Sequence, residues 1–158
     1  MQLLLYTLLL ALVALSLGEG FNAQFMMQVL KPKPSSMAEV QKAVIAKGKP
    51  GVVFVTQSWC GACDFLKSNL NESSLKDRMN EFVVVAIEGD DGVNFQKGDN
   101  KDEYVPRVYF LNADGTFYDK GSAPNPDYEF FFPAAHSVMQ VLDQLKEDND
   151  SKAVAPEL

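Results

Sequence analysis

The feature that most constrains this chain is a cysteine pair, Cys60 and Cys63, set between an apolar run and a helical pattern. Residues 52–55, Val-Val-Phe-Val, have the β-branched and apolar character of a strand that is buried inside a sheet. After the pair, Leu66 and Leu70 recur at a helical spacing. A Cys-x-x-Cys pair at such a strand-to-helix junction predicts that Cys60 caps the helix and that Cys63 lies one turn inside it.

This placement has a chemical consequence for the first thiol. The first backbone N–H groups of a helix have no partner within it, and together with the helix dipole they favour a negative charge. Such a position lowers the pKa of a cysteine from about 8.5 to about 7 or below. We therefore predict a redox-active Cys60–Cys63 disulfide in which Cys60 is the attacking thiolate and Cys63 the resolving thiol. Trp59, Gly61 and Ala62 are expected to shape the site, with Trp59 shielding the sulfur and Gly61 allowing close backbone approach.

Two other uses of the cysteines compete with redox chemistry. A purely structural disulfide would close a ring of four residues, for which the loop-entropy model gives only about 2 kcal/mol. A structural zinc site usually takes four cysteine or histidine ligands, and the chain holds two cysteines and one histidine. That histidine, His136, is expected to face solvent at the start of a final helix. No metal site is predicted, since the acidic residues between 88 and 103 do not have the spacing of a calcium loop.

The order of elements along the chain predicts the fold class. Ser36 followed by Glu39 is typical of a capping box that opens a helix. A second strand is predicted over residues 82–87, a strand hairpin over residues 108–118, and a final helix that starts at Pro133. Strands that alternate with helices indicate parallel strands covered on both faces, and the hairpin adds an antiparallel part. We predict an α/β fold, a thioredoxin-like three-layer sandwich with a mixed central sheet.

A proline before the predicted hairpin completes the predicted site. In thioredoxin-like folds a cis-proline begins the strand that faces the active-site disulfide, and Pro106 stands just before such a strand. We therefore predict a cis Val105–Pro106 bond, although only about 5% of X–Pro bonds in folded proteins are cis. Arg107 follows. It is either a group that stabilises the thiolate or binds client carbonyls, or a solvated surface arginine.

The N-terminal segment differs from the rest of the chain. Residues 3–17 are almost wholly apolar, a run shorter than the roughly 20 residues that a membrane-spanning helix needs, and small residues follow it. We predict a signal peptide over residues 1–20, an extended lead-in over 21–34, a domain over 35–148 and a mobile acidic tail over 149–158. After signal cleavage no membrane association is expected, and the cysteines are expected to work in an oxidising compartment.

The charge balance and two sequons bear on partners and modification. The chain has 14 Lys and Arg against 21 Asp and Glu, a formal net charge of −7. An acidic chain without a basic stripe repels phosphate backbones, so nucleic acid is not an expected partner. In the secretory pathway, Asn71 and Asn149 would begin glycosylation sequons. Asn149, on the predicted tail, is expected to be the more accessible of the two.

Several segments together resemble one protein family. They are Trp59-Cys60-Gly61-Ala62-Cys63, the acidic loop, Val105-Pro106-Arg107, and Asn125-Pro126-x-Tyr128 before an aromatic run. They are similar to the small endoplasmic reticulum proteins of the thioredoxin-domain-containing-twelve and anterior gradient group, over about residues 36–145. The resemblance implies an enzyme that exchanges disulfides in cysteine-containing client proteins, with glutathione as a candidate redox partner.

The same resemblance supplies an alternative function. The anterior gradient branch replaces the second cysteine by serine and binds clients, so the alternative is a client-binding or secreted interaction protein with incidental redox activity. Retention of Cys63 favours the enzyme. The C-terminus, Ala155-Pro156-Glu157-Leu158, keeps only the last two residues of a Lys-Asp-Glu-Leu retrieval signal. Residence in the endoplasmic reticulum lumen is thus expected from the resemblance, and secretion is the alternative.

Two departures affect the expected redox potential. Phe54 stands where many thioredoxins and protein disulfide isomerases carry a buried acid that relays a proton from the second thiol. Ala62 stands where the isomerases often place a histidine that favours the first thiolate. We therefore expect a pair less oxidising than the isomerases, with a potential between about −270 and −180 mV.

Overall fold

The structure, a computed structural model, describes residues 20–71, 78–97, 103–121 and 123–154. The predicted signal peptide, apart from Gly20, and the last four residues of the predicted tail lie outside these ranges. In chain order the elements are α1 Ala23–Met26, α2 Met37–Lys47, β1 Gly51–Thr56, α3 Gly61–Leu70, β2 Val83–Glu88, a 3₁₀ helix Asp90–Asn94, β3 Arg107–Leu111 and α4 Ala135–Val154. Within the described ranges, none of the helices combines the length and apolar character that a membrane crossing requires.

Three strands form one mixed sheet in the order β2-β1-β3. The central strand β1 runs parallel to β2, with Val53 opposite Val85, and antiparallel to β3, with Val53 opposite Tyr109. All six residues of β1 and all five of β3 are buried. A continuous apolar run such as that of β1 is what a strand covered on both faces requires.

Helices cover both faces of this sheet. On one face, α2 places Val40 and Val44 in a cluster with β-strand residues such as Val53. On the other face, α3 and α4 contribute Leu66 and Leu142 to a second cluster around Phe54. The prediction of a thioredoxin-like α/β sandwich with a mixed central sheet is confirmed.

The helix α2 has the caps that its sequence predicts. Ser36 is the N-cap, and its side chain accepts a hydrogen bond from the backbone N–H of Glu39 at 3.4 Å. The Glu39 carboxylate in turn accepts from the backbone N–H of Ser35 at 2.8 Å. Gly48 closes the helix with a φ of 60°, in the left-handed region that glycine favours. These two caps set the first and the last residue of α2, the helix that precedes β1.

The lead-in over residues 21–34, for which the sequence predicts an extended backbone, contains the short helix α1. The prediction is therefore wrong for that part of the segment. The Asn22 side chain opens α1 by accepting a hydrogen bond from the backbone N–H of Phe25 at 2.8 Å. Phe25 is buried, and Val29 forms a parallel bridge to Val84 of β2. Burial of these apolar side chains makes the lead-in part of the core.

The last helix continues beyond the predicted start of the tail. Because α4 runs to Val154, Asn149 lies within a helix and the prediction of a mobile tail from that residue is wrong in its boundary. The Asn149 Nδ2 donates to the Leu145 carbonyl at 2.8 Å and to Asn112 Oδ1 at 3.2 Å. Its Oδ1 accepts from the backbone N–H of Ala113 at 2.9 Å, so this side chain joins α4 to the turn after β3.

The predicted hairpin is present in a reduced form. Gly115, with a φ of 82°, makes the turn after β3. Phe117 then forms a single antiparallel bridge with Leu111, and the Tyr118 N–H donates to the Phe110 carbonyl at 2.9 Å. The returning arm is therefore a bridge and not a full strand. The final helix begins at Ala135, two residues later than predicted.

Candidate active site

The central strand delivers the chain directly to the cysteine pair. β1 ends at Thr56, the backbone N–H of Cys60 donates to the Gln57 carbonyl at 3.3 Å to close a turn, and α3 begins at Gly61. Since β1 and β2 are parallel, the turn after β1 and the 3₁₀ helix after β2 lie at the same end of the sheet. The pair therefore lies at the carboxyl end of the parallel strands.

Cys60 caps α3, as predicted. Its backbone is extended, with φ −97° and ψ 105°, and its Sγ accepts a hydrogen bond from the backbone N–H of Cys63 at 3.1 Å. The two cysteines form a disulfide with their Cα atoms 5.2 Å apart. In the reduced form, the same N–H and the helix dipole would stabilise a Cys60 thiolate.

The two cysteines differ in access. Cys60 is 5% exposed, whereas Cys63 is 0% exposed and lies in the core. An incoming sulfur can therefore meet Cys60 but not Cys63. This difference favours Cys60 as the attacking group and Cys63 as the resolving group.

The neighbours of Cys60 leave the site open. Trp59 is 76% exposed and stands out from the surface beside the pair. A Cβ added at Gly61 would meet no atom within 4 Å, so the surface at Gly61 itself is open. Ala62 is half-buried and carries no polar group. The first turn of α3 therefore does not obstruct the approach of another chain.

The loop before β3 lies against the disulfide. The Val105–Pro106 peptide bond is cis, as predicted, and Pro106 is buried. The Val105 carbonyl oxygen lies 3.7 Å from Cys60 Sγ, a distance at which the thiol could donate to it once the pair is reduced. The loop thus forms one side of the site.

Arg107 is a buried residue that holds the fold around the site. It is 4% exposed, so of the two alternatives the solvated surface arginine is wrong. Its Nη1 donates to the Tyr104 carbonyl and its Nη2 to the Gly92 carbonyl, both at 2.9 Å, and its Nε donates to the Tyr109 hydroxyl at 3.0 Å. The guanidinium thereby joins β3 to the loop before it and to the 3₁₀ helix after β2.

A cleft of about 440 Å³ opens beside the cysteine pair. Trp59, Val93 and Val105 contribute apolar wall, and Asp90 and Glu103 contribute carboxylates. Trp59 and Val93 are 76% and 69% exposed, which is unusual for large apolar side chains and leaves them available to a bound segment. The cleft adjoins Cys60 through Trp59 and Val105, and neither cysteine is among the residues that line it.

Sequence reasoning missed a buried lysine near the pair. Lys67 is 1% exposed, and its Nζ lies 3.3 Å from Glu88 Oε2 and 3.7 Å from Asp64 Oδ1. The signal was its spacing: Lys67 follows Cys63 by four residues and precedes Leu70 by three, so the three share one face of α3.

The two sequon asparagines use their side-chain amides within the fold. Asn71 Oδ1 accepts from the backbone N–H of Asn22 at 2.8 Å, and its Nδ2 donates to the Gly20 carbonyl at 2.9 Å. The other two residues of that sequon lie outside the described ranges. Asn149 Nδ2, as given above, makes two hydrogen bonds. Asn149 therefore lies on a helix and not on the predicted tail, and whether it is the more accessible of the two stays a prediction.

The remaining titratable candidates lie apart from the pair. His136 lies in the first turn of α4 and is exposed, as predicted. Among the residues that the structure describes, no group of three or more His, Cys, Asp or Glu side chains could hold a metal ion. The chemistry available at this site is that of the sulfur pair: a disulfide at a helix N-terminus in a thioredoxin-like fold, suited to thiol–disulfide exchange.

Comparison with known proteins gives distant similarities. No protein-family model matches the chain. It is similar to a disulphide isomerase from Xylella fastidiosa Temecula1, with 19% identity, a TM-score of 0.49, and coverage of 74% of this chain and 95% of that chain. It is also similar to a DsbH oxidoreductase, with 21% identity, a TM-score of 0.44, and coverage of 76% and 88%. Similarities as distant as these carry no argument about function. What is said of the chemistry of this chain therefore rests on the geometry of its own site.

Proposed function

We propose that this chain is a thiol–disulfide oxidoreductase that acts on protein disulfides in the secretory pathway. The observation that carries the proposal is the position of Cys60. Its sulfur lies at the N-cap of α3, accepts the backbone N–H of Cys63 at 3.1 Å, and is bonded to a fully buried second sulfur. A thiolate at such a position is stabilised by the helix N-terminus, and Cys60 is the more exposed of the two cysteines.

Reduction of a client proceeds in two exchanges. The Cys60 thiolate attacks one sulfur of the client disulfide, forms a mixed disulfide, and releases the other client sulfur, which takes a proton from solvent. Cys63 then loses its proton and attacks Cys60 Sγ, which restores the Cys60–Cys63 disulfide and releases the second client thiol. The client gains two electrons from the cysteine pair and two protons from solvent, and Cys63 gives up one proton in the same sequence.

Glutathione is the proposed source of reducing equivalents. Two glutathione thiols return the pair to its dithiol form and leave as glutathione disulfide. The reverse sequence, starting from the oxidised pair, forms a disulfide in a client. The direction depends on the potential of the Cys60–Cys63 pair relative to that of its compartment.

A client segment would lie across the cleft beside Trp59. The exposed faces of Trp59 and Val93 offer apolar contact, and the Val105 carbonyl stands 3.7 Å from the reacting sulfur. An extended client segment could donate a backbone N–H to that carbonyl while its cysteine meets Cys60. Such contacts depend on the client backbone and allow many cysteine-containing clients.

The cellular compartment is the part of the proposal that rests on sequence. The apolar run over residues 3–17 and the resemblance to the thioredoxin-domain-containing-twelve and anterior gradient group support residence in the endoplasmic reticulum lumen. Fractionation of cells that express the full chain tests this. Recovery in the lumenal fraction would support it, whereas recovery in the medium would support secretion instead.

Insulin reduction in a glutathione buffer tests the enzymatic role. We expect Cys60→Ala to abolish turnover, because no attacking thiolate remains. We expect Cys63→Ala to accumulate mixed disulfides, visible on non-reducing gels, because no resolving thiol remains. Ser58→Ala, a change at an exposed residue of the preceding turn, serves as the matched control. Equal activity in the wild type and both cysteine variants would end the enzymatic proposal.

A client-binding protein with incidental redox activity is the second candidate. The exposed aromatic side chains Trp59 and Phe65, at 76% and 57%, favour it, because apolar groups at a surface mark interaction sites. The double variant Cys60→Ala, Cys63→Ala distinguishes the two. A binder would suppress aggregation of an unfolded client as well as the wild type does, while an oxidoreductase would lose its effect.

A further inference from the structure

A fully buried lysine stands behind the cysteine pair. The Lys67 side chain is 1% exposed, and the carboxylates nearest to its Nζ, on Glu88 and Asp64, are 46% and 31% exposed. Burial of an ammonium is costly even when it is paired, and an apolar side chain could fill the same space without that cost. The Asp64 Oδ1 atom is itself buried and accepts no hydrogen bond, so the cluster is not arranged for maximal stability.

The helix α3 places Lys67 on the same face as Cys63. Residues four apart on a helix are neighbours on one face, and helical side chains lean toward the N-terminus of the helix. The 3.7 Å distance from Lys67 Nζ to Asp64 Oδ1 agrees with this direction, because Asp64 adjoins Cys63 in the first turns of α3. The Lys67 side chain is therefore directed toward the turn that carries the resolving cysteine.

The resolving step requires a negative charge on Cys63, and the buried surroundings of that residue disfavour it. Cys63 must ionise before it attacks Cys60, yet it is 0% exposed, and burial disfavours the ionised form of a thiol. Phe54 of β1, also 0% exposed, presents a hydrocarbon ring to the core cluster on this face of the sheet. A positive charge nearby would favour the ionised form of this thiol and so oppose the effect of burial.

We propose that Lys67 is a positioning residue that assists the ionisation of Cys63 in the resolving step, and that Glu88 and Asp64 set how much of its charge Cys63 feels. The proposal rests on the proposed function, of which it concerns the second exchange. In that exchange Cys63 releases its proton to solvent and its thiolate bonds to Cys60 Sγ. The bond from Cys60 to the client breaks, and the client sulfur leaves with the electron pair and is protonated by solvent.

Other charged groups on the surrounding elements face elsewhere. On α4, which packs against α3, His136 is exposed and Asp143 pairs with Arg78. On β3, Arg107 donates to the Tyr104 and Gly92 carbonyls. Among the ion pairs of the described residues, Lys67 makes its contacts with Asp64 of α3 and Glu88 of β2.

Titration of Cys63 in the full chain tests the proposal. In a Cys60→Ser background the thiolate absorbance of the remaining cysteine is followed against pH, without any client. We expect Lys67→Met to raise the pKa of Cys63 by about one unit, and Lys67→Arg to restore it because the positive charge returns. We expect Glu88→Gln to lower the pKa of Cys63, because less negative charge then offsets the Lys67 ammonium. Lys42→Met, a change at an exposed lysine of α2, should leave it unchanged.

The opposite signs separate an electrostatic role from a structural one. A lysine that only held the fold together would give shifts of the same sign, or none, in Lys67→Met and Glu88→Gln, and either result would overturn the proposal. Glu88 is half exposed, so its variant keeps the test decisive even if Lys67→Met lowers the yield of folded protein. Since no client is present, failure of insulin turnover with the predicted signs intact would count against the proposed function alone.

Discussion

Replacement of Arg107 by methionine is expected to destabilise the protein strongly. Methionine keeps the length and apolar character of the side chain but removes every donor. The change leaves the carbonyls of Tyr104 and Gly92 without hydrogen bonds that now measure 2.9 Å, and the hydroxyl of Tyr109 without one of 3.0 Å. It also removes a hydrogen bond between β3 and the 3₁₀ helix, the one with the Gly92 carbonyl.

The magnitude follows from the number and kind of these contacts. A hydrogen bond that involves a charged group contributes about 1.5–3 kcal/mol, and each buried neutral acceptor left without its donor costs about 1–3 kcal/mol. We therefore expect the unfolding free energy of Arg107→Met to fall by about 3–5 kcal/mol. At about 2–4 °C per kcal/mol for a domain of this size, Tm should fall on the order of 10 °C.

Urea unfolding and thermal melts of three variants measure this effect. Arg107→Lys should lie between the wild type and Arg107→Met, because one ammonium cannot reproduce the geometry of the guanidinium. Lys47→Met, at an exposed position, should stay within about 0.5 kcal/mol of the wild type. An Arg107→Met protein as stable as this control, but with a less reactive Cys60, would refute the structural role and favour a thiolate partner.

Three further predictions concern pH, backbone conformation and redox potential. Burial and the hydrogen bond with Asp148 raise the pKa of Tyr118 to about 12. The stability from this contact is therefore complete below a pH of about 10, the unfolded value, and is lost as pH rises toward 12. Tyr118→Phe should remove that decline from alkaline denaturation curves, and an unchanged decline would contradict the assignment. Gly115 has a φ of 82°, and a Cβ there would lie 2.8 Å from Ile45 Cδ1. Gly115→Ala should therefore lower the unfolding free energy, measured in urea, by about 1–2 kcal/mol. An unchanged unfolding free energy would contradict the left-handed conformation of Gly115. Ala62→His should raise the reduction potential of the Cys60–Cys63 pair toward about −180 mV in glutathione titrations, because an imidazolium favours the Cys60 thiolate. An equal potential in the variant and the wild type would show that residue 62 does not affect the potential of the pair.

The parts of the fold that could be predicted are those that depend on short-range signals. The apolar run of β1, the capping box at Ser36 and the Cys-x-x-Cys spacing each act within a few residues. For that reason the position of Cys60 at the N-cap of α3 follows from the sequence. The cis bond before Pro106 was also predicted, although only by similarity to other thioredoxin-like folds.

The burial of charged side chains could not be predicted in the same way. A lysine or arginine taken alone is mostly exposed in folded proteins. Arg107 is buried because Gly92, 15 residues earlier, supplies an acceptor, and Lys67 because Glu88 reaches it from another element. These partners are distant along the chain, and only the fold brings them together.

The flanking segments show a second limit of local patterns. The prolines of residues 21–34 stand at positions 32 and 34 and favour extended backbone only at the end of that segment, whereas the helical turn forms earlier, over Ala23–Met26, where Phe25 is buried against the core. In α4, the polar residues after Leu145 suggest a loose tail, yet two hydrogen bonds of Asn149, with Asn112 and Ala113, hold that part of the helix to the turn after β3. Tertiary contacts decide both cases.

The ionisation of Cys60 tests the central claim most directly. In the Cys63→Ala variant, the rate at which iodoacetamide alkylates Cys60 can be followed against pH, and its midpoint gives the pKa of that thiol. Because the helix N-terminus and its free backbone N–H groups stabilise the thiolate, the account predicts a midpoint at about 7 or below. A midpoint at about 8.5, the value of an ordinary cysteine, would contradict it.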